Sequence, residues 1–248
     1  MKLRKFSAVG AVSASLGLVL PLFGQQVDPG WDLFDTQAGT TFQGNPFVGD
    51  PVGSYNFGGS IGTQSVGNTD TIVQRLAAAT PGSPTIPLLM DALQLESATP
   101  ISFGGGPLGF YFITLQSSDG TGPASTGSMT INFGPNTFTS SLDVFFDVHY
   151  GALNGPIVYA NDFVLSNPGA SWGSVAPADA TLITGANYLL DGSDTADDFW
   201  PIGTFSESEP GATHVVAADT TTVPEPSTCV SLLLGAGALL ARRRTAVA

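Results

Sequence analysis

Two neighbouring runs of alternating apolar residues constrain the fold of this chain more than any other feature. The first run ends at a Gly-Pro-Asn turn at residues 134–136, and the second run continues the alternation over residues 142–150. A period of two on both sides of a turn predicts an antiparallel hairpin with one buried face. The apolar positions that define this face are Met129, Ile131, Phe133, Leu142, Val144, Phe146, Val148 and Tyr150.

Further strands are predicted on both sides of this hairpin. Residues 110–116 and 157–165 are rich in aromatic and β-branched residues, which favour strands. Residues 71–79 fit either a helix face or the start of a strand, and the neighbouring strands favour the strand. Because no long helix separates these runs, the pattern predicts an all-β body over residues 25–222. We expect a single antiparallel β-sandwich of the jelly-roll or immunoglobulin-like kind.

Charge is distributed very unevenly along the 248 residues. Six of the seven Lys and Arg residues lie at the two extremes of the sequence, and Arg75 is the seventh. Between residues 25 and 222 there are nineteen Asp and Glu residues against this one base. A body so acidic repels phosphate and anionic lipid, which excludes nucleic acid as a partner. A single cysteine, Cys229, excludes an intrachain disulfide.

Residues 1–24 have the order of a secretory signal peptide. Basic residues lie within the first five positions, residues 6–20 carry no charge, and the segment closes at Gly24. The apolar run is shorter than the roughly 20 residues of a membrane-spanning helix. We therefore expect removal of this segment near Gly24, with an uncleaved amino-terminal anchor as the alternative.

Residues 223–248 form a tail of three parts. Its apolar run, residues 229–241, is predicted to form a short helix that falls below a full membrane span. The basic cluster that follows would hold this run on the cytoplasmic side, so transient contact with the inner membrane is expected. The residues before and after the apolar run are Val223, Pro224, Glu225, Pro226 and Ser227, then Arg242, Arg243 and Arg244.

This tail resembles the PEP-CTERM sorting signal of Gram-negative bacteria. Pro224-Glu225-Pro226 matches the tripeptide that gives the signal its name, residues 232–240 match its Gly-containing apolar segment, and Arg242–Arg244 match its basic end. The resemblance implies export by the secretion machinery and recognition by an exosortase, a membrane-embedded transpeptidase similar to cysteine peptidases. It also implies a cell-surface or extracellular location and an association with exopolysaccharide or biofilm.

Residues 191–198 are the densest acidic run of the sequence and offer a candidate metal site. Its carboxylates repel one another with no cation nearby, and Ca²⁺ takes six to eight oxygen ligands. An EF-hand loop has Gly at its sixth position and Glu at its twelfth. Counted from Asp191, these positions hold Ala196 and Ile202, so the run is not an EF-hand. We predict a structural calcium site here, with a solvated acidic loop as the alternative. The predicted ligands are Asp191, Asp194, Asp197 and Asp198.

Three other patterns allow both a functional and a structural interpretation. Asp147 and His149 share the second face of the long strand, where they fit a shared metal or a solvated face. Residues 58–62 match the G-x-S-x-G pattern of serine hydrolases, which requires a strand before it and a helix after it. The three tryptophans fit a sugar-stacking platform or the core; they are Trp31, Trp172 and Trp200.

Taken together, these features predict a non-enzymatic surface or matrix protein that is exported and sorted through its tail. A carbohydrate-binding module is the first alternative, and three tryptophans on one exposed face would favour it. A secreted hydrolase is the second alternative. Glu207 and Glu209 lie near Trp200, but no spacing singles out a pair of catalytic carboxylates.

Overall fold

The computed structural model describes residues 26–59, 61–175 and 198–219. These residues form strands joined by short turns, a four-residue helix α1 (Gln116–Asp119) and a 3₁₀ turn at Phe103–Gly105. The strands are β1 (Gly30–Thr36), β2 (Thr41–Phe42), β3 (Asn45–Gly49), β4 (Gly53–Asn56), β5 (Thr63–Gly67), β6 (Thr71–Arg75), β7 (Thr85–Ser97), β8 (Ile101–Ser102), β9 (Leu108–Gly109), β10 (Tyr111–Leu115), β11 (Ser125–Asn132), β12 (Thr137–Tyr150), β13 (Ile157–Gly173), β14 (Trp200–Pro201), β15 (Thr204–Glu209) and β16 (Ala212–Ala218).

Eight of these strands close into an antiparallel β-barrel. Strand β1 pairs with β6, β6 with β7, β7 with β11, β11 with β12 and β12 with β13. Strand β13 then pairs with β15, β15 with β16, and β16 returns to β1. Strands β2 and β3 add a second connection between β16 and β7.

The prediction of a β-sandwich is therefore wrong, although the prediction of an all-β body is confirmed. A sandwich needs two sheets with free edges, whereas the pairing of β16 with β1 leaves the ring of strands without an edge. The inward face of a barrel strand and the inner face of a sandwich strand both alternate with a period of two. The alternation that identified the strands could not distinguish the two architectures.

The individual strands agree with the sequence pattern more closely than the architecture does. The predicted hairpin is the pair β11–β12, with register partners from Thr126↔Asp143 to Asn132↔Thr137. Residues 71–75 are strand β6, as favoured, and the strand predicted from residue 157 continues to Gly173. The predicted carboxy-terminal helix lies outside the described residues. No helix in the described part of the chain has the length and apolar character needed to cross a bilayer.

Aromatic side chains fill the inside of the barrel. The ring of Phe146 lies 5.1 Å from that of Phe42 and 4.6 Å from that of Phe163, measured between centroids. A second group surrounds Phe138, whose ring lies 5.1 Å from Phe199 and 5.3 Å from Phe205. All inward apolar positions of β12 from Phe138 to Val148 are buried. The core is thus built by side chains that converge from every wall of the barrel.

The hairpin β4–β5 covers a smaller apolar cluster on the outside of the barrel. Trp31 of β1 packs edge-on against Phe57 at 5.4 Å, and Val66 and Ile72 are fully buried beside them. The indole N–H of Trp31 donates a hydrogen bond of 3.0 Å to Asp91. This cover explains how β1 and β6 bury apolar residues on both faces.

Candidate functional site

Inward positions of four strands bring polar and charged side chains into the otherwise apolar barrel. Asp32 lies on β1, Arg75 on β6, and Glu207 and His214 occupy directly paired positions on β15 and β16. All four side chains are buried. Each must therefore satisfy its hydrogen-bonding groups within the protein or change its protonation state.

Arg75 and Asp32 form a buried ion pair. The Nε atom of Arg75 donates to both carboxylate oxygens of Asp32, at 3.2 and 3.1 Å, and Nη1 donates to the backbone carbonyl of Asp28. The guanidinium also lies over the ring of Phe199, 5.3 Å from its centroid. Burial raises the pKa of Asp32, and the neighbouring guanidinium opposes this rise. The only Lys or Arg residue between residues 25 and 222 is thus paired with Asp32.

Glu207 has no such cation and is held by a neutral donor. The hydroxyl of Ser140 donates a hydrogen bond of 2.9 Å to Oε1 of Glu207. Loss of solvation on burial raises the pKa of Glu207 to about 7, and the Ser140 hydrogen bond opposes this rise only in part. The glutamate is therefore protonated over much of the mildly acidic range.

His214 lies at the end of a hydrogen-bonded chain. Asp70 accepts hydrogen bonds from the N–H and the hydroxyl of Thr36, each at 2.7 Å, so the Thr36 hydroxyl accepts from Nε2 of His214 at 3.0 Å. Burial raises the pKa of Asp70 to about 6 and lowers the pKa of His214 to about 4. A β-carbon at Gly49 would overlap the Asp70 carboxylate, so glycine leaves room for this chain. His214 is consequently a neutral imidazole with a proton on Nε2.

These inward groups border a cavity of about 20 Å³. Asp32, Ser140, Glu207 and His214 line it together with apolar side chains. A water molecule needs about 10–15 Å³, so the cavity has room for one water and none for a sugar ring. Among the described residues, the inward carboxylates therefore border a space of the size of one water molecule.

A second polar group lies on the outer face of β12. Asp147 and His149 have their register partners on β10, and α1 brings Asp119 beside them. One ligand atom from each of Asp119, Asp147 and His149 lies within 4.8 Å of the other two. The sequence predicted the shared face of Asp147 and His149 but not Asp119, whose approach depends on the turn after β10.

The structure describes only part of the predicted calcium site. Asp191, Asp194 and Asp197 lie outside the described residues, and the prediction for them stays untested. Asp198 is fully buried, which differs from the solvated position expected for an acidic loop. The Asp198 side chain thus lies inside the protein and immediately precedes the core residue Phe199 in the sequence.

The structure does not support a functional role for the tryptophans or for the G-x-S-x-G pattern. Trp31, Trp172 and Trp200 are all less than 8% exposed, so they form no exposed sugar-stacking platform. Trp31 and Trp172 belong to the two apolar clusters. The G-x-S-x-G pattern is followed by strand β5, not by the helix that a nucleophile elbow requires. Ser60 itself lies outside the described residues. Sequence reasoning assigned no role to the inward positions of Asp32 and Arg75.

The model of the PEP-CTERM protein-sorting motif matches residues 222–244 of the sequence. This chain carries a PEP-CTERM sorting motif. The match spans Val223 to Ser227 and Arg242 to Arg244, as the tail pattern predicted. The motif indicates export and processing by an exosortase of Gram-negative bacteria, in agreement with a surface or extracellular location. Comparisons with curated proteins and with solved structures gave no match.

Replacement of Arg75 by Met should destabilise the protein by about 3–5 kcal/mol, because Asp32 is left buried without its cation. Urea denaturation followed by tryptophan fluorescence measures the change in the free energy of unfolding. The double variant Arg75→Met/Asp32→Asn should recover a large part of this loss. Gln74→Met, at the half-buried neighbouring position, is the matched control. A loss for Arg75→Met below about 1 kcal/mol would show that the pair does not hold the fold.

Glu207→Gln should make stability less dependent on pH. The pKa of Glu207 in the folded protein, about 7, exceeds its ordinary value of 4.5, so its contribution to the free energy of unfolding falls as pH rises between these values. Glutamine cannot ionise. The stability of the variant relative to the parent should therefore increase by about 3 kcal/mol between pH 4.5 and pH 8.

Urea titrations at both pH values measure this difference. His214 has the opposite sign, because its lowered pKa makes its contribution rise with pH between about 4 and 6.5. Both proteins contain His214 and Asp70, so their contributions cancel in the comparison. The half-buried Glu209 of the same strand provides the control Glu209→Gln, for which a smaller change is expected. Equal changes in the two variants would contradict a special environment at Glu207.

Proposed function

We propose that this protein is a non-enzymatic component of the cell surface or extracellular matrix, sorted by an exosortase and associated with exopolysaccharide. The observation that supports the absence of catalysis is the filling of the barrel. Its inward carboxylates border a space of about 20 Å³, which accepts one water molecule. In this proposal residues 1–24 are removed on export, and the barrel is the part that reaches the surface.

The described surface offers little support for a sugar-binding enzyme or module. A sugar-stacking platform needs exposed aromatic rings, whereas the three tryptophans are buried. A glycosidase needs two carboxylates that flank a cleft large enough for the substrate. The inward position of Glu207 does not meet this requirement. A structural role therefore agrees best with the described residues.

Charge determines how such a barrel can associate with polysaccharide. The body has nineteen acidic residues and one base, and this base is buried against Asp32. An acidic polysaccharide would be repelled unless a divalent cation lies between the two surfaces. We infer that calcium supplies this bridge through Asp191, Asp194 and Asp197, with Asp198 at the buried end of the run. Neutral polysaccharide would not require the ion.

Deletion of the exosortase gene in the native host should change the fate of the tail. In the parent strain we expect surface or medium fractions to contain a protein that lacks the segment after the sorting motif. In the deletion strain the full tail should remain, with the protein retained in the membrane fraction. Mass spectrometry of both termini in each fraction makes this measurement.

Matched variants separate sorting from folding in the same experiment. Replacement of Pro224, Glu225 and Pro226 by Ala should reproduce the deletion phenotype, whereas Thr221→Ala, outside the matched residues, should not. Recovery of an intact chain with both ends unprocessed from the cytosol of the parent strain would refute exosortase sorting.

Calcium should control binding to an acidic polysaccharide. We expect the full-length protein to sediment with alginate in the presence of Ca²⁺ and to remain in solution after chelation. The triple variant Asp191→Asn/Asp194→Asn/Asp197→Asn should lose this response. The control Asp28→Asn/Asp50→Asn/Asp162→Asn changes the net charge equally at other positions. Equal binding in Ca²⁺ and in chelator would contradict the bridge and favour a carbohydrate-binding module.

A further inference from the structure

The group formed by Asp119, Asp147 and His149 is built from two paired strands and a short turn. Thr114 of β10 lies opposite Asp147 of β12, and His149 lies two residues further along the same face of β12. Helix α1 follows β10 directly and ends at Gly120 in the left-handed conformation, with φ of 69°. This reversal brings Asp119 back over the strands, so the three side chains converge across a sequence separation of 30 residues.

The hydrogen bonds of His149 orient a nitrogen lone pair towards a carboxylate. The backbone carbonyl of Gly155 lies 2.9 Å from Nδ1, and a carbonyl can only accept, so Nδ1 carries a proton. In the neutral imidazole Nε2 is then an acceptor. Nε2 lies 3.0 Å from Oδ2 of Asp119, which is also an acceptor. The contact therefore needs a proton shared between the two atoms or a metal ion bound by both.

The Thr114 hydroxyl cannot satisfy both acceptors. Its oxygen lies 2.7 Å from Oδ2 of Asp119 and 2.8 Å from Nε2 of His149, yet it has one proton to donate. If that proton goes to Asp119, the lone pair on Nε2 has no donor from Thr114. The arrangement thus supplies more acceptors than protons.

Asp147 provides an independent observation. Its side chain is 1% exposed, and the Thr121 hydroxyl donates to Oδ2, whereas Oδ1 is buried without a hydrogen-bond partner among the described residues. A buried carboxylate oxygen without a donor is costly unless a cation compensates it. Arg75, the only base of the acidic body, lies inside the barrel against Asp32. A bound cation would satisfy both Asp147 and the contact between His149 and Asp119.

We propose that Asp119, Asp147 and His149 bind a divalent transition metal of the zinc class. An imidazole nitrogen with two carboxylates suits Zn²⁺ or Mn²⁺, whereas Ca²⁺ prefers a shell of oxygen atoms alone. The hydrogen bond from Nδ1 to the Gly155 carbonyl is the outer contact that orients metal-bound histidines in proteins. Three protein ligands leave a fourth position for water or for the Thr114 hydroxyl.

The site has a route for the ion and a structural consequence. The Asp119 side chain is 28% exposed, whereas that of His149 is 4% exposed, so a metal would enter from the side of α1. Bonds of about 2.0–2.2 Å around a tetrahedral ion place ligand atoms roughly 3.4 Å apart. A small rotation of the exposed Asp119 would bring the group to this spacing. The bound ion would fasten the turn after β10 to strand β12.

Titration of the full-length protein with Zn²⁺ tests this proposal. The protein is purified in mild detergent without a histidine tag and stripped with chelator. Isothermal titration calorimetry should show saturable binding of one Zn²⁺ per chain. Free Zn²⁺ at a hundred times the Kd should raise Tm by about 5–10 °C, and chelator should reverse the rise. Ca²⁺ in a parallel titration should give no response at this site.

Variants identify the ligands. Asp147→Asn and His149→Gln should each weaken Zn²⁺ binding by at least about tenfold, the loss seen even when outer contacts of a metal site are removed. Asp143→Asn, on the same face of β12 but outside the group, should bind as the parent does. Two different ligand variants keep the test usable if one fails to fold. The proposal fails if neither Zn²⁺ nor Mn²⁺ binds. It also fails if both ligand variants bind Zn²⁺ as tightly as the parent.

Discussion

The scarcity of cations governs the electrostatics of this barrel. Arg75 is the only Lys or Arg residue between residues 25 and 222, and its guanidinium forms an ion pair with Asp32 in the core. Every other buried carboxylate must be compensated in another way. Asp70 accepts three hydrogen bonds from threonine groups, and Glu207 takes up a proton near neutral pH. Hydroxyl donors and bound protons thus compensate these buried carboxylates in place of lysine or arginine side chains.

The same constraint separates the inside of the barrel from its outer face. Inside, Glu207 and His214 are directly paired on β15 and β16, and burial drives both towards their neutral forms. Two neutral groups can then border the same cavity of about 20 Å³. On the outer face of β12, Asp147 retains a carboxylate oxygen that no described donor reaches. The divalent ion proposed for this site would supply positive charge to that oxygen.

Sequence reasoning succeeded where the determining information is local. The alternation over residues 129–150 identified β11 and β12, because a period of two needs only neighbouring residues. The contiguous tail was recognisable for the same reason. Closure depends on β1 meeting β16, about 180 residues away, and no local pattern encodes this pairing. Asp147 and His149 were likewise identified from one strand, whereas Asp119 joins them only through the pairing of β10 with β12.

The position of the closing strands also relates the fold to export. Strand β16 ends at Ala218, a few residues before the sorting motif begins at residue 222. Its partner β1 begins at Gly30, shortly after the predicted signal peptide. A ring that closes through its first and last strands cannot form until almost the whole body has emerged from the ribosome. Neither the predicted signal peptide nor the matched sorting motif contributes a residue to the β1–β16 ladder, so loss of these segments would leave its register pairs in place.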